Sequence, residues 1–106
     1  MKIYISIPIT GHDIEEVKER ADILKQIISS DSNEVITPFD VCADKDKPYS
    51  HYMGRDIEAL LDCDAIFMAE GWQSSKGCNL EHHAAVLYDK HVFTEIVLKD
   101  SKAVLL

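Results

Sequence analysis

Ala65 to Ala69 is an unbroken run of five apolar residues, too short for a helix and lacking the alternation of a half-buried strand. It reads as a strand covered on both faces, and such a strand demands a layered fold with helices above and below a sheet. Lys2 to Ile7 is a second such run, apolar and β-branched, closed by Pro8 and Gly11. Between the two, Ile14, Val17, Ala21, Leu24 and Ile28 recur at steps of three and four behind Asp13 and Glu16, the stripe of an amphipathic helix opened by a pair resembling a capping box. Val35 and Ile36 form a short strand stopped by Pro38, and Asp40 to Pro48 reads as a polar, charged loop. Ser50 can cap a second helix with Met53, Ile57, Leu60 and Leu61 on its core stripe, which leaves Arg55, Asp56 and Asp62 off that stripe and Asp56 near the helix start. After a loop from Gly71 to Lys76, a third helix from about Asn79 carries Leu80, Ala84, Leu87 and Tyr88 on one side. His91 to Leu98 and Ala103 to Leu106 are the expected closing strands.

Strands alternating with helices imply parallel pairing through right-handed crossovers. The expected fold class is therefore α/β: a small doubly wound, flavodoxin- or Rossmann-like parallel sheet of about five strands with helices on both faces, forming a single domain over residues 1–106. In this architecture ligands bind beyond the carboxyl ends of the strands, here between the loops Pro8 to His12 and Glu70 to Gly77.

Charge and cysteine usage narrow the partners. A formal net charge of −8 repels polyanions and argues against a DNA-, RNA- or anionic-membrane-binding surface, while leaving room for a small anion held by local dipoles. The three cysteines, Cys42, Cys63 and Cys78, form no CxxC pair, so neither a disulfide framework nor a zinc cluster is indicated and a reducing cytoplasm fits best. No apolar run approaches the roughly 20 residues that span a bilayer, so a soluble protein is expected.

The segment from Gly71 through Trp72, Gln73, Ser74, Ser75, Lys76, Gly77, Cys78, Asn79 and Leu80 to Glu81 is a loop of glycines and hydroxyls running into a helix N-terminus. Free backbone N–H groups and the helix dipole make it an anion site, with Ser74, Ser75 and Lys76 as further donors. The plainer reading is that Asn79 is an ordinary N-cap and Glu81 an ordinary first-turn acid. Trp72 stands either to stack a nucleobase or to cover the sheet edge. His82 and His83 beside Cys78 supply no metal site, because adjacent helical side chains point about 100° apart; neither a metal nor a cofactor is expected.

With the order of elements included, the sequence resembles the nucleoside 2-deoxyribosyltransferase superfamily over nearly its whole length. The likeness rests on Tyr4 to Gly11 in the first strand, Tyr52 to Ile66 with Asp56 and Asp64, then Gly71-Trp72 and Ser75 to Ala84. Ser75, Gly77 and Glu81 reproduce the spacing of the related deoxynucleoside 5′-monophosphate N-glycosidases, with a serine two residues before a glycine and six before the nucleophilic glutamate. The resemblance implies that Glu81 attacks the anomeric carbon to form a covalent glycosyl intermediate, that Asp56 assists the leaving base, and that Tyr4 positions the nucleophile. It makes Ser75 the hydroxyl that contacts a 5′-phosphate, with Gly77, Thr10, Asn79 and Trp72 completing the substrate site. A carboxylate at a helix N-terminus is expected to stay ionised and to act as a competent nucleophile.

Two departures stand out. The family's first loop normally has a glycine where Ile7 or Pro8 stands, and the monophosphate N-glycosidases have an arginine where Thr10 falls, so a weaker or a different phosphate site is expected. The resulting expectation is an enzyme that cleaves the N-glycosidic bond of a nucleoside or nucleoside 5′-monophosphate, by hydrolysis or by transfer to another base. The alternative is a non-catalytic nucleotide- or nucleotide-sugar-binding module on the same fold. A homo-oligomer is expected, because small relatives build the pocket at a subunit interface.

Overall fold

The computed structural model describes residues 1–42, 46–97 and 103–105. Leu98 and Leu106 of the expected closing strands, and residues 43–45 of the expected loop, lie outside the described residues. Five strands form one sheet in the order β2-β1-β3-β4-β5. Four of them, β1 (Lys2–Ser6), β2 (Glu34–Ile36), β3 (Ala65–Met68) and β4 (His91–Val97), run parallel, while β5 (Ala103–Leu105) pairs antiparallel with β4. The α/β doubly wound expectation holds, with a parallel sheet of four strands rather than about five. No helix among the described residues is long and apolar enough to cross a membrane.

The unbroken apolar run of Ala65 to Ala69 and the mostly apolar run of Lys2 to Ile7 became the two central strands, β3 and β1. The pleat sends Ile3 and Ile5 of β1 and Phe67 of β3 to one face, where α1 (Ile14–Ile28) covers them with Val17, Ala21, Leu24 and Ile28. Asp13 caps α1 by accepting from the backbone N–H groups of Glu15 and Glu16, and Glu15 and Glu16 place negative charge at the positive end of the dipole. Ile14, expected in the core stripe, is 45% exposed. It is the first residue of α1 and lines the cavity above the sheet.

The opposite face carries Tyr4, Ile66 and Met68, covered by α3 (Tyr49–Leu61) and α4 (Lys76–Leu87) through Leu60, Cys78 and Ala85. Three expectations fail here. Asp40 to Pro48 is not all loop: Pro38–Val41 forms a one-turn helix, α2, with proline at its first position and the Asp40 carboxylate accepting from the Thr37 backbone N–H at 2.9 Å and from Lys25 at 2.8 Å. The second expected helix starts at Tyr49 behind Pro48 rather than behind Ser50, so Asp56 sits well inside α3, and it faces inward. The third starts at Lys76 with Ser75 as N-cap, not at Asn79, and its buried side is Cys78, Glu81 and Ala85, leaving Leu80, Leu87 and Tyr88 at least half exposed.

The order β2-β1-β3 means that the chain leaves β1 toward one side and crosses back to β3 on the other. The carboxyl ends of β1 and β3 therefore flank the switch point of the sheet, where the diverging loops open a crevice. On the α1 side the end of β3 is held by the buried Glu95 of β4, whose carboxylate accepts from the Glu70 backbone N–H at 2.9 Å and from Arg20 at 2.5 Å. Gly71, with φ of 86°, turns the chain out of the sheet in a left-handed conformation that side chains disfavour, and Trp72–Ser74 follow as a 3₁₀ turn into α4.

Candidate active site

Above the carboxyl end of β1 lies a cavity of about 590 Å³, a volume in the usual range for small-molecule sites. Its floor is acidic. In β1, residues two apart share a face, so Tyr4 and Ser6 both point toward α4. On α4, Glu81 lies three residues after Cys78 and four before Ala85, on the stripe turned to the sheet. The Tyr4 hydroxyl donates to Glu81 Oε2 at 2.5 Å and the Ser6 hydroxyl to Oε1 at 2.7 Å, so each carboxylate oxygen is oriented by a strand side chain. Asp56, on the inner side of α3, lines the same cavity.

Burial dominates the electrostatics of this cluster. Glu81 is 4% exposed and Asp56 8%. Desolvation pushes Glu81 up to about 7, with the charge of Asp56 adding to the rise and the hydrogen bonds from Tyr4 and Ser6 opposing it. Desolvation likewise raises Asp56 to about 6, against a hydrogen bond from Tyr4. Tyr4 itself is held well above its ordinary value by burial and by the two neighbouring carboxyl groups, so it remains a hydrogen-bond donor wherever either acid titrates. Where a fully ionised carboxylate was expected at a helix N-terminus, burial favours the protonated form of Glu81. Glu81 lies in the second turn of α4, past the reach of the dipole's first turn, and its loss of water outweighs the helix field.

The structure brings Glu81, Asp56, Ser75, Gly77 and Thr10 to one cavity, with Tyr4 beneath Glu81. Ser75 does two things there: it lines the cavity and caps α4 by accepting from the Cys78 backbone N–H. Gly77 lets α3 approach closely: a Cβ on it would stand 2.9 Å from the Tyr49 hydroxyl and 3.3 Å from the Met53 sulfur, so the ends of those two side chains would have to shift. Asn79 and Trp72 stand outside the cavity lining. The Asn79 amide is spent on the carbonyls of Gln73 and Ser75, tying the 3₁₀ turn to α4. Trp72 stacks on His82 with ring centroids 4.6 Å apart and packs among the residues between α4 and the sheet, the covering role of its two sequence-level readings.

Sequence reasoning missed Ser6, although a polar residue two positions after Tyr4 in a buried strand is itself a signal. It also missed the wall facing the first loop, which Phe39 of α2 and Tyr49 and Tyr52 of α3 build. No short-range pattern announces that wall, because α2 is a single turn.

Among solved structures the chain is similar to the 2-desoxiribosyltransferase from Leishmania mexicana, with 16% identity and a TM-score of 0.68 over 88% of this chain and 62% of that one. At that identity the likeness shows the fold, and the chain spans less than two thirds of that protein's length. No curated protein matches the sequence. Residues 1–94 match the family described as Domain of unknown function (DUF4406), and the chain belongs to that family.

Proposed function

We propose that this protein cleaves the N-glycosidic bond of a nucleoside or a nucleoside 5′-monophosphate through a covalent glycosyl-Glu81 intermediate. One observation carries the reading: a buried glutamate on the cavity floor, oriented through both oxygens by Tyr4 and Ser6, faces the same space as a second carboxyl group whose pKa of about 6 lets it hold a proton near neutrality. The fold neighbour named as a deoxyribosyltransferase supports the reaction class.

In the first step an ionised Glu81 oxygen bonds to the anomeric carbon as the carbon–nitrogen bond breaks. The bond's electron pair leaves with the base, and Asp56 supplies the proton that the departing nitrogen takes up. In the second step water bonds to the anomeric carbon and displaces Glu81 as a carboxylate, giving its proton to the Asp56 carboxylate and restoring the starting state. An acceptor base in place of water completes a transfer instead. Burial raises the pKa of both carboxyl groups, so the pair holds a proton near neutral pH, and the reactive arrangement is the one with that proton on Asp56.

The test is chromatographic detection of free base released from deoxyribo- and ribonucleosides and their 5′-monophosphates, with and without an acceptor base. Release from at least one substrate, abolished in Glu81→Gln, is the expected result. Release without acceptor assigns hydrolysis. Nucleotide binding without any release would replace this reading with a non-catalytic binding module.

A further inference from the structure

The cavity is polarised, with its two acids at the floor and one cation at its mouth. Lys18, in the second turn of α1, is the only lysine or arginine among the described lining residues. Its ammonium lies 5.8 Å from the centroid of the Phe39 ring, which also lines the cavity, so the side chain is laid across an aromatic wall. Glu15 and Asp22 are its helical neighbours at three residues before and four after, yet neither pairs with it. The ion pairs among the described residues are Arg20 with Glu95, Lys25 with Asp40 and Arg55 with Glu58. Lys18 is therefore an unneutralised cation beside a ligand-sized cavity, in a protein of net charge −8 whose overall field repels anions.

We propose that Lys18 is the specificity-determining residue for the anionic end of the substrate, and that this end is a phosphomonoester. In the proposed nucleoside 5′-monophosphate the phosphate is the anionic group, and an ammonium on a flexible stem meets it as a point charge. The polarity of the cavity sets the direction of binding: the phosphate toward Lys18 at the mouth, and the carbon to be attacked toward Glu81 at the floor. This assigns the charge of the phosphate site to α1, in a chain where Thr10 of the first loop carries none and where Ser75 has its oxygen engaged in capping α4. The inference rests on the cavity being the substrate site of the proposed reaction, but it can be tested without turnover.

The experiment compares wild type with Lys18→Met, which keeps the stem against Phe39, and with Lys18→Arg, which keeps the charge. Calorimetric titration with deoxyribose 5-phosphate and with a nucleoside 5′-monophosphate and its nucleoside measures binding; kcat/KM for base release measures turnover. Lys18→Met is expected to weaken the phosphorylated ligands about 10- to 100-fold and to leave the unphosphorylated nucleoside within about twofold, with Lys18→Arg close to wild type. If no ligand is turned over, the binding ratio still decides the role of Lys18 while the glycosidase reading fails. If base is released but the ratio of phosphorylated to unphosphorylated ligand is the same in Lys18→Met as in wild type, the Lys18 assignment is overturned and the reaction stands. Equal weakening of both ligands would also overturn it, because it marks a packing defect.

Discussion

Replacing Glu81 by glutamine should remove activity and, at alkaline pH, add stability. Burial lifts the Glu81 pKa from an ordinary 4.5 to about 7, so the folded protein holds this proton more tightly than the unfolded chain does. Below pH 4.5 both states are protonated at this site and the group contributes no pH dependence. Between 4.5 and about 7 the unfolded chain ionises first, and stability falls as pH rises. Above about 7 both states are ionised and the loss is complete, about 3 kcal/mol from a gap of this size at 1.36 kcal/mol per pH unit. Glutamine has nothing to ionise, and its amide can meet the Tyr4 and Ser6 hydroxyls with one donor and one acceptor, since both hydroxyls rotate. Thermal unfolding of the two proteins at matched pH isolates the effect, because every other titrating group is common to both. The variant's advantage over wild type should grow by about 3 kcal/mol, or about 10 to 15 °C in Tm for a domain of this size, between pH 4.5 and 8.5, while base release is lost at every pH. A difference in Tm that stays constant across that range would refute the reasoning, since it would mean that Glu81 ionises in the folded protein as readily as in water.

Asp56→Asn removes a charge that raises Glu81 and a group that must be protonated to act. The wild-type kcat/KM should follow a narrow bell around pH 6 to 7, whose two limbs belong to the coupled pair. Asp56→Asn should abolish the alkaline limb and slow release of poor leaving bases more than good ones; pH–rate profiles on two bases of different leaving ability check both. Ser75→Ala should destabilise the fold by about 1 kcal/mol through loss of the α4 cap, whatever the substrate. Ser75→Asn, which keeps a capping acceptor, should recover most of that loss in urea denaturation.

The frame of the fold was legible because both central strands are buried on both sides. A run such as Ala65 to Ala69, apolar throughout, or Ile3 to Ile7, apolar but for Ser6, is too short for any other buried element. The first helix was equally plain, since Val17, Ala21, Leu24 and Ile28 face a purely apolar layer. Reading failed where function intrudes on the core. On α4 the hydrophobic stripe of Leu80, Leu87 and Tyr88 pointed to one side, while the residues on the sheet side include Glu81, an acid in a core position. Asp56 misled in the same way: the spacing of Met53, Ile57, Leu60 and Leu61 left it off the core stripe of its helix, yet it is buried. Hydrophobic periodicity finds the face that is cheapest to bury, and a carboxyl group on the inner face runs against that cost. α2 was missed for a different reason: one turn of helix has no periodicity to detect.

The same burial cost explains why Tyr4 and Ser6 come from the strand and not from a loop. Two carboxyl groups with raised pKa values share one cavity floor, and each disfavours the ionised form of the other. The pair is useful only if one member can ionise without the other following it, and that requires fixed donors on one acid that do not themselves titrate. Tyr4 cannot lose its proton in the working range, since burial and both acids hold it high, and Ser6 has no proton to lose there at all. Both are anchored in β1, the second strand of the sheet and paired on each side, so their hydroxyls move little while α3 and α4 carry the acids above them. Glu81 receives two such bonds and Asp56 only the share of Tyr4 that lowers its pKa, so the two carboxyl groups differ in how far their negative charge is supported. Under the proposed reaction, partial positive charge at the anomeric carbon would add a third support to the Glu81 carboxylate and favour the arrangement with the proton on Asp56.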